Sequence, residues 1–171
     1  IKLMTSQISN VRTKQFCYRL MALTAFVFVF LCGHAQQGQP SMAQQLAALQ
    51  RLEAMQPDSI GPKCQQAVLL LGYVCTHPQD GKAQQYLEEA QRMIGKIETM
   101  QSQKAADQSD LATLRGFYYT AMIVMDPKQN GPRYYQQALD NFDKALKLNP
   151  NNEMAKQLQQ QFRKGMEAQA K

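Results

Sequence analysis

Ala138, Phe142, Ala145 and Pro150 follow one another at intervals of four, three and five residues, and Ala83, Leu87 and Ala90 repeat the first three positions earlier in the chain. On an α-helix these intervals put one large side chain between two small ones on a single face. The alanines let a neighbouring backbone approach, and the large residue fills the space between them. A segment of this kind is built to pack closely against a partner helix. Two of them in one chain constrain it to stacked helical hairpins, an all-α fold of about six antiparallel helices.

The rest of the pattern agrees. Ser41 with Gln44 has the spacing of a capping box, and Met42, Leu46, Leu49 and Leu52 make one apolar face to about Met55. Gln56 to Gly61 is a linker. Pro62 suits a first helical position, and Cys64, Ala67, Val68, Leu71 and Cys75 form the stripe that follows, widened by Leu69, Leu70 and Val74. The turn His77-Pro78-Gln79-Asp80-Gly81 leads to an amphipathic helix from Ala83 to Met100. Ser109 or Asp110 is expected to cap a fourth helix, the central buried element, ending at Met125. Asp126 to Gly131 is expected to break the chain, with Pro132 opening a fifth helix. After Asn149-Pro150-Asn151-Asn152, a last helix runs from about Glu153 to Glu167 along the narrow stripe Met154, Leu158, Phe162 and Met166. No segment alternates as a strand would.

The N-terminal stretch is ordered differently. Basic Arg12, Lys14 and Arg19 precede the apolar run Leu20 to Leu31, and Gly33-His34-Ala35 precedes polar Gln36-Gln37. That order describes an export signal cleaved after Ala35. The apolar run would make a helix of roughly 18 Å, against a hydrocarbon core of roughly 30 Å, which favours cleavage over the alternative of an uncleaved membrane anchor. Leu31 before Cys32 argues against lipidation. The expected organisation is a signal peptide over 1–35, a linker and helix over 36–60, and a helical repeat domain over 61–171 with a C-terminal capping helix. The expected location is periplasmic or secreted, with membrane contact only in transit.

Cleavage would remove four of the 19 basic residues and none of the 13 acidic ones, leaving 15 against 13 and a net charge of +2. These charges alternate in sign without a basic cluster, so nucleic acid is not an expected partner. Cys64 and Cys75 would lie on one helix with Cα atoms roughly 16 Å apart, beyond the roughly 7 Å limit for bridging, so buried thiols are the preferred reading over a disulfide. Their spacing with His77 nearby is a poor metal set, and no metal or other cofactor is expected. His77 is the one histidine after Ala35. With no nucleophile triad, phosphate loop or paired inward carboxylates, the reading is a protein without catalysis.

Leu139 to Leu158, L-D-N-F-D-K-A-L-K-L-N-P-N-N-E-M-A-K-Q-L, resembles the end of a tetratricopeptide repeat running into its successor, and Gly116 with Tyr119 resembles the G-x2-Y of a first helix. The two alanine anchors, Ala83 and Ala138, are 55 residues apart, where a regular array would place them about 34 apart. From Pro62 to Leu158 the arrangement is similar to uncharacterised exported tetratricopeptide-like proteins of Gram-negative bacteria. The resemblance implies an α-α superhelix that holds a protein or peptide partner in the cell envelope. It also implies contact positions on the concave face of each first helix: Asp110, Thr113, Phe117, Thr120 and Ala121 around Gly116, and Gln66, Leu69, Tyr73, Thr76 and His77 around Gly72. The contact candidates taken from these are Tyr73, Asp110, Thr113, Phe117 and Thr120, with Phe117, Tyr73 and Asp110 foremost. The alternative is a structural subunit that self-associates into a homo-oligomer to complete a short stack.

Overall fold

Why the chain stops and restarts its helices is visible at every junction of the computed structural model, which describes residues 41–100, 102 and 104–169. Six helices follow in order: α1 Met42–Met55, α2 Ile60–Thr76, α3 Ala83–Thr99, α4 Ala105–Met125, α5 Pro127–Leu148 and α6 Glu153–Gln169. The described residues contain no strand, so the fold is all-α. None of these helices is long and apolar enough to cross a membrane. The expected export signal lies outside the described residues.

The capping box at α1 forms as expected: Gln44 N–H donates to Ser41 Oγ at 3.3 Å, and Ser41 N–H donates to Gln44 Oε1 at 2.8 Å. Three other helix starts differ from expectation. Helix α2 begins two residues before Pro62, which is tolerated because the first four N–H groups of a helix have no intrahelical acceptor. Helix α4 begins at Ala105, so Ser109 and Asp110 lie inside it instead of capping it. Ser109 is needed elsewhere: fully buried, its Oγ donates at 2.8 Å to the Ala145 carbonyl in the last turn of α5.

Helix α5 begins at Pro127. Asp126 ends α4 and caps α5, accepting from Gln129 N–H at 3.1 Å, and a proline directly after an aspartate cap is a stronger start than one six residues later. Pro132 is carried inside the helix, exposed to water. Asn130 ties the tight corner shut by donating from Nδ2 to the Met122 carbonyl at 2.7 Å.

Contacts along α4 and α5 run in opposite directions. Ser109 meets Ala145, Gly116 meets Phe142, Tyr119 meets Tyr134 and Met122 meets Asn130, so the two helices form an antiparallel hairpin. The expected small-large-small face carries it: Ala138, Phe142 and Ala145 are all fully buried. Opposite Phe142 the partner backbone has no side chain, since a Cβ on Gly116 would stand 2.7 Å from Phe142 Cε1. In the α2–α3 hairpin, Ala83, Leu87 and Ala90 are likewise buried, with Leu87 and Ala90 packed among Leu70, Leu71, Val74 and Cys75.

Helix α4 packs on α2, α3, α5 and α6, which makes it the centre of the molecule. Phe117, Ala121 and Val124 join the α2–α3 cluster, Leu114 joins Ala67, Met93, Ile94 and Ile97, and Ile123 joins Phe142 and Phe162. Helix α1 is peripheral by contrast, with no buried residue, and α6 closes the opposite end through Ala155 and Phe162. Cys64 and Cys75 are not joined in a disulfide. Burial, reinforced by the Asp110 and Asp107 carboxylates, pushes the Cys64 thiol up to about 12, which keeps it protonated and a poor nucleophile.

Candidate functional site

Three of the five expected contact residues are inside the protein. Thr113 is fully buried, Phe117 is 4% exposed and Thr120 is 6% exposed. Each has an internal use. Thr113 Oγ1 donates to the Ser109 carbonyl at 2.8 Å, Thr120 Oγ1 donates to the Gly116 carbonyl at 2.9 Å, and Phe117 fills the cluster shared with α2 and α3. Ala121, from the same expected face, is also fully buried. Their face of α4 is therefore a packing surface in this structure, covered by neighbouring elements.

Asp110 is half-buried and also engaged. Asn152, the cap of α6, donates from Nδ2 to Asp110 Oδ1 at 3.0 Å, to Ser109 Oγ at 2.9 Å and to Thr113 Oγ1 at 3.3 Å. Its own Oδ1 accepts from Ala155 N–H at 3.0 Å. Burial pushes the Asp110 carboxyl up, the Asn152 amide opposes this, and Asp107 adds to the rise. The group fastens α4, α5 and α6 to one another.

Tyr73 is half-exposed at the open end of α2. It stacks on His77 with centroids 4.5 Å apart and meets Tyr86 edge-on at 5.0 Å. Its hydroxyl is pushed up by desolvation and by Asp80. Gln66, also expected at a contact, is fully buried: its Nε2 donates to Glu53 Oε2 at 2.7 Å, while its Oε1 has no hydrogen-bond partner. The structure thus does not unite Tyr73 with the α4 residues in one open face.

The accessible side of α4 is the other one. Between Gln108 and Met122, apart from Asp110, the half-exposed side chains are Gln108, Leu111, Arg115, Tyr118, Tyr119 and Met122. Steps of three and four residues align the main series Gln108, Leu111, Arg115, Tyr118 and Met122 as one stripe. Helices α3 and α5 pack on α4 without substantial packing on each other, and the stripe is the floor between them. Toward one end the floor is aromatic. Tyr118 donates to Gln91 Oε1 of α3 at 3.2 Å, Tyr119 stacks on Tyr134 of α5 at 5.5 Å, and the Arg133 guanidinium lies 5.0 Å above the Tyr134 ring.

Toward the other end a groove of about 390 Å³ opens, lined by Ile97 and Glu98 of α3, Ser102, then Asp107, Gln108, Leu111, Ala112 and Arg115 of α4, and Lys144 of α5. Two acidic and two basic side chains line it, and one ion pair joins two of them. Arg115 pairs with Glu98 at 2.8 Å, and Ser102 Oγ donates to Asp107. Lys144 has no ion-pair partner among the described residues.

Apolar residues occur on both sides of α4, Leu111, Tyr118 and Met122 on this one, and periodicity cannot rank two faces. Both members of the Tyr118-Tyr119 pair are half-buried. Lys144 gave no local signal, since its role depends on α3 lying across the gap. Among the described residues no group of three or more His, Cys, Asp or Glu is placed to hold a metal ion. Comparison with family models, curated proteins and solved structures finds no match to this chain.

Proposed function

We propose that the protein is an exported tetratricopeptide-like adaptor that binds a protein or peptide partner in the cell envelope, without catalysis. The observation that carries this reading is the α4–α5 hairpin, where Phe142 sits on Gly116 between buried Ala138 and Ala145. Those are the small and large positions on which the resemblance to tetratricopeptide repeats rests. The half-open stripe of α4 between α3 and α5 offers the partner a groove, which replaces the covered face carrying Thr113 and Phe117. Met55 is the one large apolar side chain exposed to water among the described residues, which leaves self-association little apolar surface and favours the adaptor over a homo-oligomeric subunit.

A photocrosslinking amino acid in place of Tyr118, in intact cells, tests the reading together with fractionation of the envelope. The expected result is one discrete crosslinked partner from Tyr118, none from the solvent-facing position Gln157, and recovery of the protein outside the cytoplasm. Recovery in the cytoplasm would remove the export reading. Absence of any crosslink from the Tyr118 position would remove the groove as the adaptor surface.

A further inference from the structure

We propose that the surface of α2 beneath α1 is a helix-binding seat, held in cis by α1 and open to a partner's amphipathic helix with three apolar residues and a carboxylate along one face. It is built from other residues than the α4 groove and does not depend on that groove holding a partner. Helix α1 is attached as a bound segment would be. The buried clusters are made by α2 to α6, and α1 adds to them only Met42 and Leu46 at the edge of the one holding Leu70, Leu71 and Val74. It has no buried residue and packs substantially on α2 alone. The linker stays behind when α1 leaves, because the Lys63 ammonium grips the carbonyls of Pro57 and Ser59 at 2.6 and 3.0 Å. Opening at Gln56 is therefore a local event.

The contacts of α1 define what else the seat accepts. Met42, Leu46, Leu49 and Glu53 follow at intervals of four, three and four, which places them along one helix face, with exposed Gln44 and Arg51 on the opposite one. Glu53 pairs with Lys96 of α3 at 3.1 Å and is attracted by Lys63 as well, while α2 carries no acidic residue to oppose it. A basic residue in its place would face two ammonium groups. Gln66 supplies a reason for exchange. It is fully buried, and α1 meets only half of it: Nε2 donates to Glu53 at 2.7 Å, while Oε1 has no hydrogen-bond partner. A helix that brings a hydroxyl or amide donor beside its carboxylate fills this acceptor, an advantage over α1.

The test uses the full chain, isotopically labelled, with Glu53→Lys to unseat α1, and two peptides of the sequence 41–56, one native and one carrying Glu53→Lys. The native peptide stands in for the partner helix. Amide NMR is expected to show it moving the Gln66 and Lys96 resonances of the variant at a concentration at least about tenfold lower than for wild type, whose tethered α1 competes for the seat. The lysine peptide is expected to move neither. Adding Lys96→Glu to the variant restores an ion pair with reversed signs, so amide exchange in α1 should slow again and the response to the native peptide should fall. Equal response to the two peptides, shifts confined to another face, or no response in the variant would overturn the seat. So would α1 exchange that Glu53→Lys leaves unchanged. Light scattering on the wild type decides the occupant. A monomer is expected; a concentration-dependent dimer would show α1 exchanged between copies and overturn the separate partner.

Discussion

The α2–α3 and α4–α5 hairpins carry the same small-large-small face and close differently. In α4–α5 the large residue is Phe142, and the opposing helix yields to it by having glycine at 116, where an added Cβ would lie within 2.7–3.0 Å of three ring atoms. In α2–α3 the large residue is Leu87, packed among Leu70, Leu71 and Val74, while Gly72 has nothing within 4 Å of where its Cβ would be. The two glycines look alike in sequence, each inside a long helix. One receives a ring and the other borders open space, so in the α4–α5 hairpin the residue opposite the large side chain sets how closely the helices pack.

The sharpest way to break this comparison is to add one methyl at each glycine. Gly116→Ala forces a fully buried ring to move, and overpacking of this kind costs about 3 kcal/mol, lowering the melting temperature by roughly 10 °C. Gly72→Ala meets open space and gains helix propensity, raising stability by up to about 1 kcal/mol. Thermal unfolding followed by circular dichroism reads both. Equal effects would mean that the Phe142–Gly116 contact does not govern the second hairpin.

A second contrast lies at the two ends of the stack. The C-terminal end is fastened by Asn152, a buried neutral amide reaching three oxygens of α4. The N-terminal end is fastened by Glu53, which accepts from Gln66 Nε2 and pairs with half-exposed Lys96 at 3.1 Å, and by Lys63, which donates to the carbonyls of Pro57 and Ser59. Asn152→Ala removes the cap of α6 and leaves buried oxygens short of a donor, a loss of about 2 kcal/mol that is insensitive to salt. Denaturant unfolding at low and high ionic strength checks both parts, and a loss that fades with salt would contradict a neutral fastening.

Glu53→Gln is expected to cost no more than about 1 kcal/mol overall, because its cationic partner is half-exposed, but to speed amide exchange in α1 selectively. Acid should have the same effect. Burial alone would push the Glu53 carboxyl up, yet the Gln66 amide and Lys96 ammonium outweigh it and hold the pKa below its ordinary value. The folded state therefore holds this proton less tightly than the unfolded one. Its stabilisation is complete above the ordinary carboxylate range and is lost as pH falls through the lowered folded pKa. Exchange measured across that window should loosen α1 before α6; simultaneous loosening would erase the distinction between the two ends.

The helices, the α1 capping box and the buried faces of α3 and α5 were legible because each rests on residues three or four apart. What escaped the sequence depends on residues far apart. Ser109 looked like a cap, but its hydroxyl is spent on the Ala145 carbonyl, 36 positions away. Thr113 and Phe117 looked like an open face because a regular array leaves them so, whereas here neighbouring elements cover them. Pro132 outranked Asp126-Pro127 as a helix start only while the corner formed by Asn130 and Met122 was unknown. The groove had no sequence signature at all, since its walls come from α3 and α5 and its floor from the less apolar side of α4.

The smallest effect tests the carboxylate that Asn152 reaches. Asp110 accepts from Asn152, but burial, countered by that amide and reinforced by Asp107, leaves its carboxyl above the ordinary value. The sign is opposite to that of Glu53. The folded state binds the proton more tightly, so the penalty of the charge is absent below the unfolded pKa and complete once pH has risen through the folded one. Asp110→Asn keeps an oxygen able to accept from Asn152 and removes both the desolvation and the repulsion from Asp107. It should therefore raise the melting temperature by about 1–2 °C at neutral pH, with the gain shrinking as the solution is acidified. A fall at neutral pH would show that the Asn152 amide requires a full negative charge, and the C-terminal end would then be as electrostatic as the N-terminal one.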